Sequence, residues 1–370
     1  MTVKEPTRIS SHEQTKPWIE TPLKESYALS QAAACRVFLK LENLQPSGSF
    51  KSRGIGSYIL ARLDELPDPT IQPHIFSSSG GNAGLAAVHA STTLGLPCTV
   101  VVPLSTKPLM ISKLKAAGAF EVIQHGPTWQ DADTYLRKEV MAKAGPSTIY
   151  VPPFDHPDIW AGNSTLISEL SHQLPLFTPH PSPPDVIICS VGGGGLFNGI
   201  NQGLDACNWS RHTTVLALET EGAQSLHKSL EAGELVTLPG ITSEATSLGA
   251  VRVTRQTLAY AQRSSVRSVV LPDAEAAMGC WRLADDERIM VEMASGVNVA
   301  LCYDGRLERV LGRKVRPDDK VVIVLCGGSN VTVDMLAKWR DEFGWVEKGI
   351  DARERAVPSA VTAPKGNGDA

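Results

Sequence analysis

Lys51 is the residue of this chain best placed for covalent chemistry. It stands in Pro46-Ser47-Gly48-Ser49-Phe50-Lys51-Ser52-Arg53-Gly54, directly after the strand-like run Val37-Phe38-Leu39-Lys40-Leu41. A lysine amine attacks a carbonyl only when neutral, and partial burial lowers its pKa toward that condition. Ser47, Gly48 and Ser49 leave room for a flat ligand to approach the backbone, and Phe50 offers a ring face. Such a setting suits an amine that condenses with an aldehyde. Taken alone, the same segment reads as a loop lysine at a helix start. Three further segments bear on the choice.

The second segment is Ser77-Ser78-Ser79-Gly80-Gly81-Asn82-Ala83-Gly84. It follows Ile75-Phe76 and precedes the helical pattern Leu85-Ala86-Ala87-Val88-His89-Ala90. Small and polar residues at a helix start expose backbone N–H groups, which suits a carboxylate or a phosphate. A helix cap accounts for one polar residue there, not for a whole run of small or polar positions. The third segment, Val191-Gly192-Gly193-Gly194-Gly195-Leu196, follows the buried-strand run Val186-Ile187-Ile188-Cys189-Ser190. Four glycines between a strand and a helix form an anion cradle, because no Cβ keeps an oxygen from the amides. As a mere turn they would cost roughly 0.5–1 kcal/mol each relative to alanine. No Gly-Lys-Ser/Thr follows, and Phe197 breaks the Gly-x-Gly-x-x-Gly spacing of dinucleotide sites. The fourth segment, Cys326-Gly327-Gly328-Ser329-Asn330, ends the strand-like run Lys320-Val321-Val322-Ile323-Val324-Leu325. A ligand at strand carboxyl ends meets Cys326 there, although by itself Cys326 reads as a small core thiol. A lysine nucleophile beside an anion cradle is what pyridoxal phosphate (PLP) needs.

In this order the four segments resemble those of the fold-type II PLP enzymes. More narrowly, they are similar to the serine/threonine dehydratases of the liver-type L-serine dehydratase group. The likeness runs from about Thr21-Pro22-Leu23 to about Trp345. It takes in Val151-Pro152-Pro153-Phe154-Asp155-His156-Pro157, Ala217-Leu218-Glu219-Thr220, Ile241-Thr242-Ser243 and Asp285-Asp286-Glu287-Arg288. It implies an α/β fold like that of the tryptophan synthase β chain, with two open twisted domains and the cofactor in the cleft between them. Residues 17–52 and 151–348 would form the large domain and 53–150 the small one.

The resemblance further implies roles. Lys51 would carry PLP and then act as base and acid at the substrate α-carbon. Phe50 would pack on the pyridine ring and Asn82 would bond the ring hydroxyl. Ser79, Gly80 and Gly81, with Asn82, would bind the substrate carboxylate. Gly192, Gly193, Gly194 and Gly195, with Leu196, would cradle the phosphate through their amides. Cys326 would face the pyridine nitrogen. A thiol is a weak donor, so the ring nitrogen would stay unprotonated, which suits β-elimination. Glu219, Ala223 and Ser225, with carbonyls near Leu248, match a monovalent-cation site such as one for potassium. The implied reaction takes L-serine to pyruvate and ammonia, and L-threonine to 2-oxobutanoate and ammonia. The implied setting is a cytoplasmic homodimer in amino-acid catabolism and gluconeogenesis. The alternatives are racemisation or β-replacement on a small amino acid, or a PLP-binding protein without activity. In related racemases a serine supplies the second acid/base, where this chain has Gly80.

Two departures from the family stand out. Alanine is frequent at the Gly80 position, though one branch carries glycine. The missing methyl is expected to loosen the wall beside the carboxylate, so that Gly80→Ala raises turnover of serine. The family segment Glu-Pro-Ala-Cys/Ser-Gly-Ala reads Glu292-Met293-Ala294-Ser295-Gly296-Val297-Asn298 here. It lacks the proline and carries an unexpected Asn298 near the cofactor region of relatives.

The elements that must hold these residues are readable in outline. Cys98-Thr99-Val100-Val101-Val102 and Glu121-Val122-Ile123 read as strands. Between them Leu109, Ile111, Leu114 and Ala117 fall at helical spacing before Gly118. This β-α-β alternation signals a parallel α/β layer. Five prolines between His172 and Pro184 read as a surface loop, and residues 1–16 and 349–370 as unstructured ends. Asp285-Asp286-Glu287-Arg288 reads as a solvated helix face, and His156 as structural. The 370 residues, 42% hydrophobic and 20% charged, fit a globular enzyme of two domains. A net charge of −4 without a basic run argues against nucleic acid as a partner. Seven scattered cysteines with no Cys-x-x-Cys pair argue for a reducing compartment and against a zinc site. No signal core or membrane-length apolar run is present. Too little chain follows Trp345 for an amino-acid-binding regulatory domain, so an unregulated catabolic form is expected.

Overall fold

The computed structural model describes residues 15–68, 70–145, 147–178 and 182–347, and the backbone of 359–361. Apart from residues 15, 16 and 359–361, the ends expected to be unstructured lie outside the described residues. Eleven strands are present among them: β1 (Leu23–Glu25), β2 (Arg36–Lys40), β3 (His74–Ser77), β4 (Cys98–Val102), β5 (Glu121–Gln124), β6 (Thr148–Val151), β7 (Val186–Ser190), β8 (Thr214–Thr220), β9 (Val266–Leu271), β10 (Lys320–Val324) and β11 (Ser359–Val361). They form two sheets, a seven-stranded one in the order β1-β2-β10-β7-β8-β9-β11 and a four-stranded one in the order β5-β4-β3-β6. The smaller sheet is parallel throughout. The larger is parallel from β2 to β9, with antiparallel β1 and β11 at its edges.

Parallel strands covered on both faces must be apolar on both faces. Val186-Ile187-Ile188-Cys189-Ser190 and Val321-Val322-Ile323-Val324 are buried at every position. One face of the large sheet contributes Val37, Leu39, Ile188, Leu218 and Ile323 to a core that includes residues of the helices Asp273–Glu287 and Met293–Ala300. Phe38, Ile187, Val322 and Val324 point to the other face and meet residues of Pro157–Gln173 and Gly195–Ala206. The small sheet has its own core, in which Ile75, Val100 and Val102 pack with Ile55, Ile59 and Leu114.

The structure corrects three expectations outside the site. The segment from His172 begins as helix: Pro157–Gln173 runs on into a 3-10 turn at Leu174–Leu176. Leu174 is buried, and Pro175 at the start of that turn loses no hydrogen bond. In the acidic run Glu287 is not solvated. It is buried and accepts from Ser26 Oγ and Lys24 Nζ, while Asp286 accepts from the Tyr303 hydroxyl at 2.6 Å. Within the tail, Ser359–Val361 pairs with β9, an edge that would otherwise leave its backbone groups unpaired. His156 caps the helix Pro157–Gln173, its Nδ1 accepting from Asp158 N at 3.2 Å.

Candidate active site

β2, β10 and β7 lie side by side and parallel, so their carboxyl ends open on one edge of the large sheet. That edge is where an open α/β sheet places its ligands. The lysine loop follows β2, Cys326 follows β10, and the four-glycine turn follows β7. β3 of the small sheet delivers Ser77 to Asn82 toward the same place. Asn82 Oδ1 accepts from Ser329 N at 3.0 Å, and Asn82 Nδ2 donates to Glu292 Oε1 at 3.1 Å. The two sheets thus meet across a cleft.

The glycine turn is held from behind. The carbonyl of Gly193 accepts from Thr254 N at 3.1 Å, that of Gly194 from Asn198 N at 2.8 Å, and that of Gly195 from Asn163 Nδ2 at 3.0 Å. A carbonyl and the following N–H share one peptide plane and point opposite ways. Fixing the carbonyls therefore aims the next N–H groups. The N–H groups of Gly192, Gly193, Gly194, Gly195 and Leu196 find no acceptor among the described residues. Gly194 has φ +99°, and a Cβ there would run into Thr257 Oγ1. A Cβ on Gly193 would enter the Phe154 ring, and one on Gly195 would stand 2.8 Å from Phe154 O. Only glycine fits, and the free amides form an anion cradle at a helix start.

Lys51 opens the helix Lys51–Asp64, and its Nζ donates to Pro153 O at 2.6 Å. The surrounding protein strips water from the amine, which lowers its pKa to about 8, opposed only by neighbouring Cys326. The amine lies 5.3 Å from the centroid of the Phe50 ring and 6.0 Å from that of Phe154. Phe154 thus lies against the cradle and near the nucleophile. Cys326 is buried, and desolvation pushes its thiol up to about 11, so it is neutral at physiological pH. Its Sγ lies 3.5 Å from Ser190 Oγ. Ser295 Oγ donates to Gly327 O at 3.1 Å and Asn298 Nδ2 to Val324 O at 3.2 Å. The unexpected Asn298 therefore binds backbone beside the thiol. These residues fit PLP: free amides for its phosphate, an amine of low pKa for its aldehyde and a neutral thiol at the strand end.

The Ser79–Asn82 loop is more open. Gly81 N donates to Ser79 Oγ at 3.3 Å, and the N–H groups of Gly80 and Asn82 have no acceptor among the described residues. Ser78 Oγ donates to the buried Asp133 at 2.7 Å and anchors the base of the loop. Gly80 departs from the loosened-wall expectation. A Cβ there would sit 2.8 Å from Thr106 Cγ2 and 3.2 Å from Val102 Cγ1. Thr106 and Val102 already fill the space that alanine's methyl would take.

Glu219 is fully buried, and its two oxygens accept from Leu226 N and His227 N at 2.8 Å each. Desolvation raises its pKa to about 8, against the lowering effect of those two bonds. Ser225 Oγ donates to Ala250 O at 2.9 Å, Ala250 N donates to Leu248 O at 2.7 Å, and Ala223 is fully buried close by in sequence. A buried carboxylate with carbonyl and hydroxyl oxygens near it is a donor set for a hard monovalent cation. Among the described residues no group of three or more His, Cys, Asp or Glu could hold a metal ion.

Phe154 and Glu292 stand in segments conspicuous in the sequence but have no role legible there, and Thr106 is not conspicuous at all. The proline-flanked phenylalanine after β6 is a signal for Phe154, which an indole six residues further on fixes: Trp160 Nε1 donates to Phe154 O at 2.9 Å. Thr106 carried no signal, because only the fold sets it against Gly80.

Residues 15–327 match the model of the pyridoxal-phosphate dependent enzyme family, and the chain belongs to that family. It is 43% identical over 331 residues to the catabolic L-serine/threonine dehydratase of Saccharomyces cerevisiae, covering 88% of this chain and 91% of that one. It is 41% identical over 341 residues to the serine dehydratase-like protein of Homo sapiens, covering 91% and 99%. The fungal L-serine ammonia-lyase structure from Rhizomucor miehei superposes with a TM-score of 0.80 at 33% identity, over 89% of this chain and all of that one. Among the described residues no helix is long and apolar enough to cross a membrane.

Proposed function

We propose that this chain is a PLP-dependent L-serine ammonia-lyase that also accepts L-threonine. The observation that carries the reading is Lys51, with its pKa lowered to about 8, sharing Phe154 with a turn of four glycines whose amides are free. The likeness to serine and threonine dehydratases supports the substrate. PLP, when bound, supplies the electron sink that lets a substrate α-proton leave. Its phosphate would lie on the amides of Gly192 to Leu196, its ring against Phe50, its hydroxyl near Asn82 and its ring nitrogen toward Cys326. Lys51 in its neutral form takes the proton from the substrate α-carbon, and in its ammonium form gives a proton back, which returns it to the neutral base. Ser79, Gly80 and Gly81, with Asn82, hold the carboxylate. One water leaves from the β-carbon and one enters on hydrolysis, so serine yields pyruvate and ammonia, and threonine 2-oxobutanoate and ammonia. Gly80 offers no side chain for a second acid/base, which supports elimination over racemisation.

The proposal extends to a small domain of residues 53–150 and to a potassium ion at Glu219, Ala223 and Ser225. It extends also to a cytoplasmic homodimer, whose mass sedimentation would read directly. The main test is Lys51→Ala. This variant is expected to lose both the visible absorbance of lysine-bound PLP and the release of 2-oxoacid and ammonia. Retention of both would overturn the assignment. A protonated lysine cannot condense, so coenzyme capture by the wild-type chain should slow about tenfold per pH unit below about 8.

A further inference from the structure

Asn82 and Glu292 are 210 residues apart and belong to the two different sheets' units, yet they meet in the cleft. Glu292 is buried, and the neighbours on its carboxylate are donors: Asn330 N at 2.6 Å, Ser247 Oγ, and Asn82 Nδ2 at 3.1 and 3.3 Å from the two oxygens. Gly328, at φ +108°, makes room for this carboxylate, since a Cβ there would run into it. The other end of the Asn82 amide faces Ser329 N, a backbone group that can only donate. The amide therefore has one orientation, with Oδ1 toward Ser329 and Nδ2 toward Glu292.

An amide nitrogen carries two hydrogens. Glu292 takes one, through a bond shared between its oxygens. The second has, among the described residues, only Ser247 Oγ, at a long 3.4 Å, as its acceptor. We infer that Glu292 is a positioning residue: it locks the Asn82 amide so that this second N–H is presented to the coenzyme hydroxyl, and it ties that presentation to closure of the cleft. Asn82 stands at the start of the helix Asn82–Thr93 on the small sheet, while Glu292, Ser329 and Asn330 belong to the large one. A second contact supports closure at the same loop, where Lys113 Nζ donates to Ser329 O. The inference rests on the proposed PLP site and goes beyond it, because Glu292 acts through Asn82 and not on substrate.

The test is a double-mutant cycle on the full chain, read as the PLP dissociation constant from the visible absorbance of lysine-bound coenzyme. Glu292→Gln keeps the shape but can turn its own NH2 toward Asn82. Glu292→Gln and Glu292→Ala should each weaken PLP about 10-fold, the size of one charge-assisted hydrogen bond. In an Asn82→Ala background neither should weaken it further. In the otherwise wild-type chain, the serine KM should change less than kcat. Equal losses in both backgrounds would overturn the inference, as would unchanged PLP affinity in Glu292→Gln. If Glu292→Ala does not fold, judged by circular dichroism, the Glu292→Gln arm decides alone. Failure of the wild-type chain to bind PLP would instead strike the proposed function, and the cycle separates that result from the others.

Discussion

Two strand-to-helix turns open on the cleft, and they are built in different ways. The turn at Gly192–Gly195 is buried from Gly193 onward, its carbonyls are bonded from behind, and a Cβ on Gly193, Gly194 or Gly195 would strike Phe154 or Thr257. The turn at Ser79–Asn82 is half-buried throughout, and a Cβ on Gly81 would meet nothing nearer than Ser79 Oγ at 3.9 Å. The first is a fixed socket made of backbone. The second is a looser clamp whose position depends on contacts with the other sheet. A coenzyme that stays and a substrate that leaves place these two demands on a site.

The comparison can be broken most sharply at the socket. Gly194→Ala forces a left-handed φ on alanine and a collision with Thr257, so PLP affinity should fall at least about 100-fold. Gly81→Ala, on the clamp, should change PLP affinity less than about 3-fold and act on the serine KM instead. Equal effects in a PLP titration would erase the distinction. Next in size is Gly80→Ala. Because Thr106 fills the space, the added methyl should lower serine kcat/KM about 5-fold through overpacking, the reverse of the expectation from sequence. Thr106→Ser in the same chain removes the Cγ2 in the way and should restore most of the loss. A rise in rate from Gly80→Ala alone would show the wall to be loose after all.

The smallest effect concerns the support behind the socket, where Gly192 lies against Ser247 and Leu248. Glu219 has a folded pKa of about 8 against an ordinary 4.5, so the folded state binds the extra proton. Stability from this group is present below pH 4.5 and is lost as pH rises through about 8. A bound cation favours the ionised form and offsets the loss. Potassium should therefore raise the thermal midpoint over tetramethylammonium by about 3 °C at pH 8.5 and by less at pH 6. Equal midpoints in both salts at pH 8.5 would argue against the cation.

The parallel strands β4, β7 and β10 were legible because each is a nearly unbroken apolar run, buried at every position, and they fall within a residue of their expected bounds. The glycine turn and the lysine were legible because their chemistry is written in contiguous residues. The length of the helix Pro157–Gln173 and its 3-10 extension was not, since proline content outweighed the burial of Leu174.

By itself the sequence determined the kind of chemistry: a lysine, a glycine cradle and a serine-glycine loop, each in a segment that follows a strand. Backbone conformation is local, so residues a few positions apart suffice to specify it. Tertiary structure alone decided that Phe154 lies against the cradle and near the nucleophile, that Thr106 fills the space at Gly80, and that Glu292 holds Asn82. Those contacts join residues tens to hundreds of positions apart, and the distance between such residues is set by how the two sheets pack, not by any spacing along the chain.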